Sequence, residues 1–218
     1  MGKEDEHILV VPRHRLFGDT DQHAFSGYLP REQAPFCIEE VVTRYGEFRR
    51  CGQKGEAGYL EEDASMKQII PQAIFLSGRG DASQIFVYQS LKGSGESRLH
   101  GRNMIGIGGH VNTEDGPLDN SILSRGRDRE ISEEVHIVDP YRMDMLGYVN
   151  LDDNLLGAVH FGVFYALRGT SPSISVKETD KLSGRMVPLD QLASLDPPLQ
   201  GWHSIIRDVI VDYAKRWC

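Results

Sequence analysis

Arg129-Glu130-Ile131-Ser132-Glu133-Glu134-Val135-His136-Ile137 is the stretch on which the reading of this chain turns. On a helix, Glu130, Glu133 and Glu134 stand at i, i+3 and i+4, so their carboxylates leave one face. Ile131 and Val135, also four apart, can face a core. Crowded carboxylates repel, by a few tenths of a kcal/mol (roughly) on an open helix and by more when partly buried. A hard divalent cation with oxygen ligands removes that conflict, and Mg²⁺ or Mn²⁺ suits such a cluster. Arg129 is placed to orient a glutamate or a phosphate oxygen. Taken alone, the same pattern also fits a solvated helix face with Arg129 and Glu133 as a surface pair.

The flanking sequence supplies context. Upstream, Met104-Ile105-Gly106-Ile107-Gly108-Gly109-His110-Val111 is a strand-like run with glycines inside it. Glycines there mark a close approach of the backbone to something else. Ala73-Ile74-Phe75-Leu76, the turn Ser77-Gly78-Arg79-Gly80-Asp81 and Ile85-Phe86-Val87-Tyr88 predict a hairpin. Ile8-Leu9-Val10-Val11 predicts a short buried strand ended by Pro12. Ile38, Val41, Val42 and Tyr45 predict a short amphipathic helix stopped by Gly46. Residues 13–36, rich in Gly, Pro and charge, are expected to be irregular surface chain. Downstream, residues 145–149 and 158–167 predict two strands around a turn at Asp152-Asp153-Asn154, and 185–189 another. Trp202, Ile205, Ile206, Val209, Ile210 and Tyr213 predict an amphipathic C-terminal helix. Strands before, between and after two main helices give an α/β (α+β) class, a mixed sheet with helices on its faces.

The Gly108-Gly109 strand end followed by the Arg129–Ile137 helix resembles the signature of the Nudix hydrolase family. That signature is a glycine-started loop and then a helix reading Arg-Glu-apolar-x-Glu-Glu-x-Gly-apolar. Every position of the helical half matches except the glycine, where His136 stands. The resemblance covers about residues 68–190 and is nearest to a bacterial, MutT-like branch of predicted phosphoesterases. It also accounts for Lys67-Gln68-Ile69-Ile70-Pro71 and Arg98-Leu99-His100-Gly101. The family expects a glutamate after five residues from Gly109, and Asp115 stands there with Glu114 beside it. Thirteen residues (116–128) then precede Arg129 where the family has seven, an insertion of six. Gly116-Pro117 opens the helix, or Asp119 or Asn120 caps it.

The resemblance implies a Nudix-type mixed sheet sandwiched between helices over residues 67–218, with residues 1–66 as an N-terminal extension packing on that core. It implies Mg²⁺-dependent (or Mn²⁺-dependent) hydrolysis of a phosphoanhydride, in a nucleoside diphosphate linked to another moiety or a related pyrophosphate. The carbonyl of Gly109 would join Glu130, Glu133 and Glu134 around the metal. The general base would be Glu130, Glu134 or an acid of a later loop, for which Glu178 is the candidate, with Asp152 and Asp153 in reserve. Arg98, His100 and Arg102 are candidates for phosphate contact through charge and forked geometry. The alternative reading is a catalytically silent Nudix-like nucleotide-binding or regulatory module. An isomerase of a diphosphate substrate is a third, weakened by the lack of a cysteine near Gly108-Gly109. His110 and His160 lie in apolar stretches and read as core histidines.

Composition bounds the partners. With a formal charge of -8 over 218 residues, broad binding to polymeric nucleic acid or an anionic membrane is not expected. A small phosphorylated metabolite or nucleotide is. Three cysteines without metal-ligand spacing read as reduced thiols. Neither a secretory start nor an apolar run of about 20 residues is present, so the chain reads as cytoplasmic. Residues 1–66 carry no assigned motif; they shape the pocket or build a homodimer interface.

Overall fold

The structure, a computed structural model, describes residues 3–91 and 101–216. Its strands are β1 (His7–Pro12), β2 (Gly27–Pro30), β3 (Glu47–Arg50), β4 (Met66–Ser77), β5 (Gln84–Ser90), β6 (Asn103–Met104), β7 (Val135–Ile137), β8 (Tyr141–Asn150), β9 (His160–Gly169), β10 (Ile174–Val176) and β11 (Leu182–Pro188). The helices are α1 (Arg13–Phe17), α2 (Ile38–Tyr45), α3 (Ile122–Glu134), α4 (Leu155–Val159) and α5 (Trp202–Arg216). The class is α/β, a large mixed sheet flanked by helices. Among the described residues the main sheet has nine strands, ordered β11-β5-β4-β9-β8-β2, with β1 and β3 added through β4 and β6 through β5.

The chain divides into two compact units, the first comprising Met1–Gln72, Gly108–Arg129 and Leu146–Val163, the second Ala73–Ile107, Glu130–Met145 and Phe164–Cys218. In the first, β1 pairs antiparallel with β3 (Leu9 opposite Phe48) and with β4 (Val10 opposite Gln68). One cluster gathers Ile8, Val10, Cys51, Leu60 and Met66. Another is aromatic: Phe17, Phe25, Phe36, Tyr148 and Phe161 have neighbouring ring centroids 5.1–6.2 Å apart. Edge-on and tilted rings at such spacing interact favourably beyond their buried area.

Residues 13–36 are therefore not the irregular surface chain expected. Helix α1 buries Leu16 and Phe17, and β2 pairs with β8 from Gly27 opposite Asn150 to Pro30 opposite Gly147. Helix α1 is too short to show a period. The proline in β2 reads as a breaker but is tolerated because β2 is an edge strand.

In the second unit the predicted hairpin forms, with Leu76 of β4 opposite Ile85 of β5. Strand β11 lies on the other side of β5, with Gly184 opposite Tyr88. The stretch expected at 185–189 is the later part of this longer strand. The core gathers Ala73, Phe75, Phe86, Tyr88, Met104, Ile107, Ile131, Val135 and Leu167. Ile131 and Val135 thus face inward, as their spacing predicts. Helix α5 buries Ile206, Ile210 and Ala214, a stripe of spacing four, and Trp202 meets Phe164 edge-on at 6.0 Å.

The run from Met104 to Val111 is not one strand. Asn103 and Met104 pair with β5, Ile107 makes a single bridge to Ala73, and in the first unit Asn112 bridges Ile8. Between β8 and β9 the expected turn is helix α4, whose first N–H groups need a cap. Asn154 supplies it by accepting from the backbone N–H of Gly157 at 2.9 Å.

Candidate functional site

Helix α3 ends at Glu134 and β7 begins at Val135, so Glu130, Glu133 and Glu134 occupy its last turn. Its C-terminal half is fastened by Ile131 and Val135 in the core of the second unit. His136, where the signature has glycine, is an extended residue opposite Ser175 of β10. The chain passes straight from helix to strand, so no left-handed cap arises and no glycine is needed.

The same β7–β10 pairing brings in Glu178. Val176 lies opposite Val135, and the backbone N–H of Lys177 donates to the Glu134 carbonyl at 2.9 Å. Lys177 Nζ donates to the Ser132 carbonyl. Glu178, the next residue, pairs with Lys181 at 2.9 Å. A loop acid 44 residues downstream of Glu134 is thereby held beside the end of α3. The carboxyl of Glu134 is pushed up to about 8 by burial and by the negative charges of Glu130, Glu178 and Glu133. Among the described residues its buried Oε2 has no hydrogen-bond partner.

Tyr88 of β5 is part of this setting, and sequence reading placed it only in a strand. Its phenol is pushed well up by burial and by the charges of Glu134 and Glu130, and its hydroxyl donates to the Gly106 carbonyl at 2.7 Å. Tyr88 stays protonated and supplies an apolar wall. The alternation of Phe86 and Tyr88 on one face of β5 is the signal that could have found it.

A buried carboxylate oxygen without a donor is costly, and Glu130, Glu178 and Glu133, whose charges Glu134 feels, offer only oxygen atoms as ligands. That is the donor set of a hard divalent cation, so these residues fit Mg²⁺ or Mn²⁺. Among the described residues, the acid and imidazole groups whose ligand atoms all lie within 4.8 Å of one another are Glu61, His110 and His160 of the first unit; the helix glutamates form no such group.

The glycine segment and Arg129 belong to the first unit. A Cβ on Gly108 would stand 2.0 Å from the Pro71 carbonyl oxygen, so this glycine serves close backbone packing on β4. Arg129 Nε donates to Asp115 Oδ1 at 2.8 Å, and Nη2 donates to the His110 carbonyl at 2.7 Å. Asp115, with its side chain 1 % exposed, also accepts from the backbone N–H of Asn112 at 2.9 Å. Position 115 is a structural anchor that aligns the glycine segment with α3.

Arg125 ties down the six-residue insertion by donating to the carbonyl of Pro117 at 2.6 Å and to Asp119 at 2.9 Å. Helix α3 starts after it, at Ile122. Gly126 lets the helix approach the glycine segment: a Cβ there would stand 2.8 Å from Val111 Cγ2.

The remaining candidates divide. Arg98 and His100 lie outside the described residues, and Arg102 is exposed just ahead of β6. Asp152 is engaged by Arg13 at 2.9 Å and Lys67 at 2.7 Å, a buttress of the first unit. Asp153 is exposed and bonded to Asn154.

No family model matches the chain. Protein YmaB of Bacillus subtilis (strain 168) is 33 % identical over 217 residues, spanning 96 % of this chain and all of YmaB. The crystal structure of Tm1382, described as a candidate Nudix hydrolase, superposes with a TM-score of 0.72 at 26 % identity, covering 95 % of this chain and 100 % of Tm1382. The chain belongs to the Nudix hydrolase family. The NUDIX domain of Shewanella oneidensis NrtR, solved with ADP ribose, has a TM-score of 0.50 at 14 % identity over 69 % of this chain and 87 % of that domain. It shows the shared fold. Coverage of 95–96 % by YmaB and Tm1382 means that their likeness takes in most of residues 1–66, well beyond the Nudix motif.

Proposed function

We propose that this Nudix protein is a pyrophosphohydrolase that uses Mg²⁺ or Mn²⁺ to cleave the phosphoanhydride of a nucleoside diphosphate linked to another group. The observation that carries the reading is the buried, donorless Oε2 of Glu134 amid Glu130, Glu133 and Glu178. The three helix glutamates would hold the cation, and the motif adds the Gly109 carbonyl to them. When bound, the cation offsets the diphosphate charge and acidifies a water.

The chain's own residues do the rest. Glu178 takes the proton of the attacking water, because the Lys177–Glu134 backbone bond fixes it beside the helix end and Lys181 holds its carboxylate at 2.9 Å. The water oxygen bonds to one phosphorus, the bridging P–O bond breaks, and the other phosphate leaves with that electron pair. Tyr88 and the apolar residues around it keep bulk water from the inner face of Glu134. Arg129 acts by positioning: through Asp115 and the His110 carbonyl it sets the glycine segment against its own helix. Arg102 remains a candidate for phosphate contact, together with Arg98 and His100.

ADP-ribose heads the substrate panel, since the Nudix domain of NrtR was solved with it. Purified protein with Mg²⁺ should release AMP and ribose phosphate from it, or the two corresponding phosphates from a related diphosphate. Glu133→Gln should lower that rate by about 100-fold or more while leaving the far-UV spectrum unchanged. If wild type is inert across the panel yet is stabilised by a nucleotide, the silent binding module is the correct reading.

A further inference from the structure

The three acids of the helix end do not exhaust the metal-capable chemistry of this chain. In the first unit, Glu61, His110 and His160 each present a ligand atom, and the three atoms lie within 4.8 Å of one another. They come from the loop ahead of β4, the glycine segment and the first residue of β9. The imidazoles stack with centroids 5.9 Å apart and planes inclined by 25°. Glu61 Oε1 stands 4.0 Å from His160 Nε2, and both side chains are only 11 % exposed.

The surrounding hydrogen bonds set the state of both rings. Gln68, fully buried in β4, donates its Nε2 to the Leu60 carbonyl at 3.1 Å, which turns its Oε1 toward His110 Nε2 at 2.8 Å. An amide oxygen only accepts, so His110 carries its proton on Nε2. His160 Nδ1 lies 2.7 Å from the Leu156 carbonyl, so its proton is on Nδ1. When each ring is neutral, its opposite nitrogen bears the lone pair, the form in which an imidazole binds a metal. Histidines whose second nitrogen is held by an oxygen acceptor are oriented and made more basic in the way metal ligands are. The backbone at His160 is pinned as well, by Lys67 Nζ donating to its carbonyl at 3.3 Å and to that of Gly157 at 2.9 Å.

We propose that Glu61, His110 and His160 form a second metal site, selective for a borderline transition-metal ion and best suited to Zn²⁺. Two imidazoles and one carboxylate are a recognised zinc set with a fourth position left for water, whereas Mg²⁺ prefers oxygen alone. Bonds of about 2.0–2.2 Å place tetrahedral ligand atoms about 3.3 Å apart, so the three atoms need close by only an ångström or so. The ion joins three stretches distant in sequence and clamps the segment that carries Gly109. Its role is to fix that segment, and it stands independently of the proposed pyrophosphohydrolase activity.

The test uses metal-stripped full-length protein with saturating Mg²⁺ to occupy the glutamates, titrated with Co²⁺ and, separately, Zn²⁺. One equivalent of Co²⁺ should raise visible d–d absorption of a four- or five-coordinate centre. One equivalent of Zn²⁺ should shift one nitrogen each of His110 and His160 in long-range ¹H–¹⁵N spectra. Glu61→Gln and His160→Gln should each weaken Co²⁺ binding by about 100-fold, while Glu133→Gln leaves it unchanged. If the wild-type imidazole resonances ignore Zn²⁺, or Co²⁺ gives the same bands in His160→Gln as in wild type, the site does not exist. The wild-type spectra decide the matter even where a variant fails to fold. Titration of the two rings by pH alone, without response to either metal, would identify an ordinary Glu–His ion pair and likewise overturn the proposal.

Discussion

At the scale of single residues, Glu134 departs far from what its type alone would predict. A carboxyl pushed up to about 8 is ionised with difficulty in the folded chain and easily in the unfolded one, whose value is near 4.5. The folded state therefore binds the extra proton between these values. This stabilisation is fully present below about pH 4.5 and is lost as pH rises through about 8. In chelator, the melting temperature of wild type relative to Glu134→Gln should fall by several degrees from pH 5 to pH 9. A constant difference across that range would show that Glu134 is not buried among acids. Asp115 is held differently. It is a buried acid with donors on both oxygens, and Asp115→Ala takes the carboxylate from the Arg129 guanidinium, which keeps the His110 carbonyl. Breaking one partner of such a pair costs about 3–5 kcal/mol, which urea unfolding can measure.

Elements act through what they pack on. Helix α3 is held at two levels, by Ile131 and Val135 in one core and by Gly126 over Val111. On propensity alone, Gly126→Ala should stabilise a helix interior by about 1 kcal/mol. The contact at 2.8 Å with a fully buried, β-branched Val111 reverses that sign, because neither partner can rotate away. We expect Gly126→Ala to lower the unfolding free energy, read from the urea midpoint; an increase would mean that α3 has room to spare. At the other end, strand β10 matters for the acid that follows it. Lys177→Pro removes the N–H that donates to the Glu134 carbonyl and should reduce turnover through misplacement of Glu178, with Mn²⁺ affinity changed less than in Glu133→Gln.

For the molecule as a whole, metal binding and folding are linked. A cation that binds only the folded chain adds about 2.7 kcal/mol at a hundred times its dissociation constant. Because Glu134 must lose its proton to serve as a ligand, Mn²⁺ affinity measured by calorimetry should rise up to about tenfold per pH unit below pH 8 and level off above it. An affinity independent of pH between 6 and 8 would remove Glu134 from the ligand set. No described helix is long and apolar enough to cross a membrane.

The sequence by itself determined what depends on near neighbours in the chain. The shared face of Glu130, Glu133 and Glu134, the inward Ile131 and Val135, the β4–β5 hairpin and the stripe of α5 all follow from a period of 3.6 or 2 over a few residues. Only the tertiary structure decided which side chains those faces meet. It seated Glu178 beside Glu134 through a ladder between segments forty residues apart, paired Arg129 with Asp115 across the insertion, and folded β2 and α1 out of a stretch that reads as loop. It also turned two histidines that looked like core residues toward Glu61. Burial, which pushes the Glu134 carboxyl up, and the donors that fix the two imidazoles come from long-range contacts that leave no periodic trace in the chain.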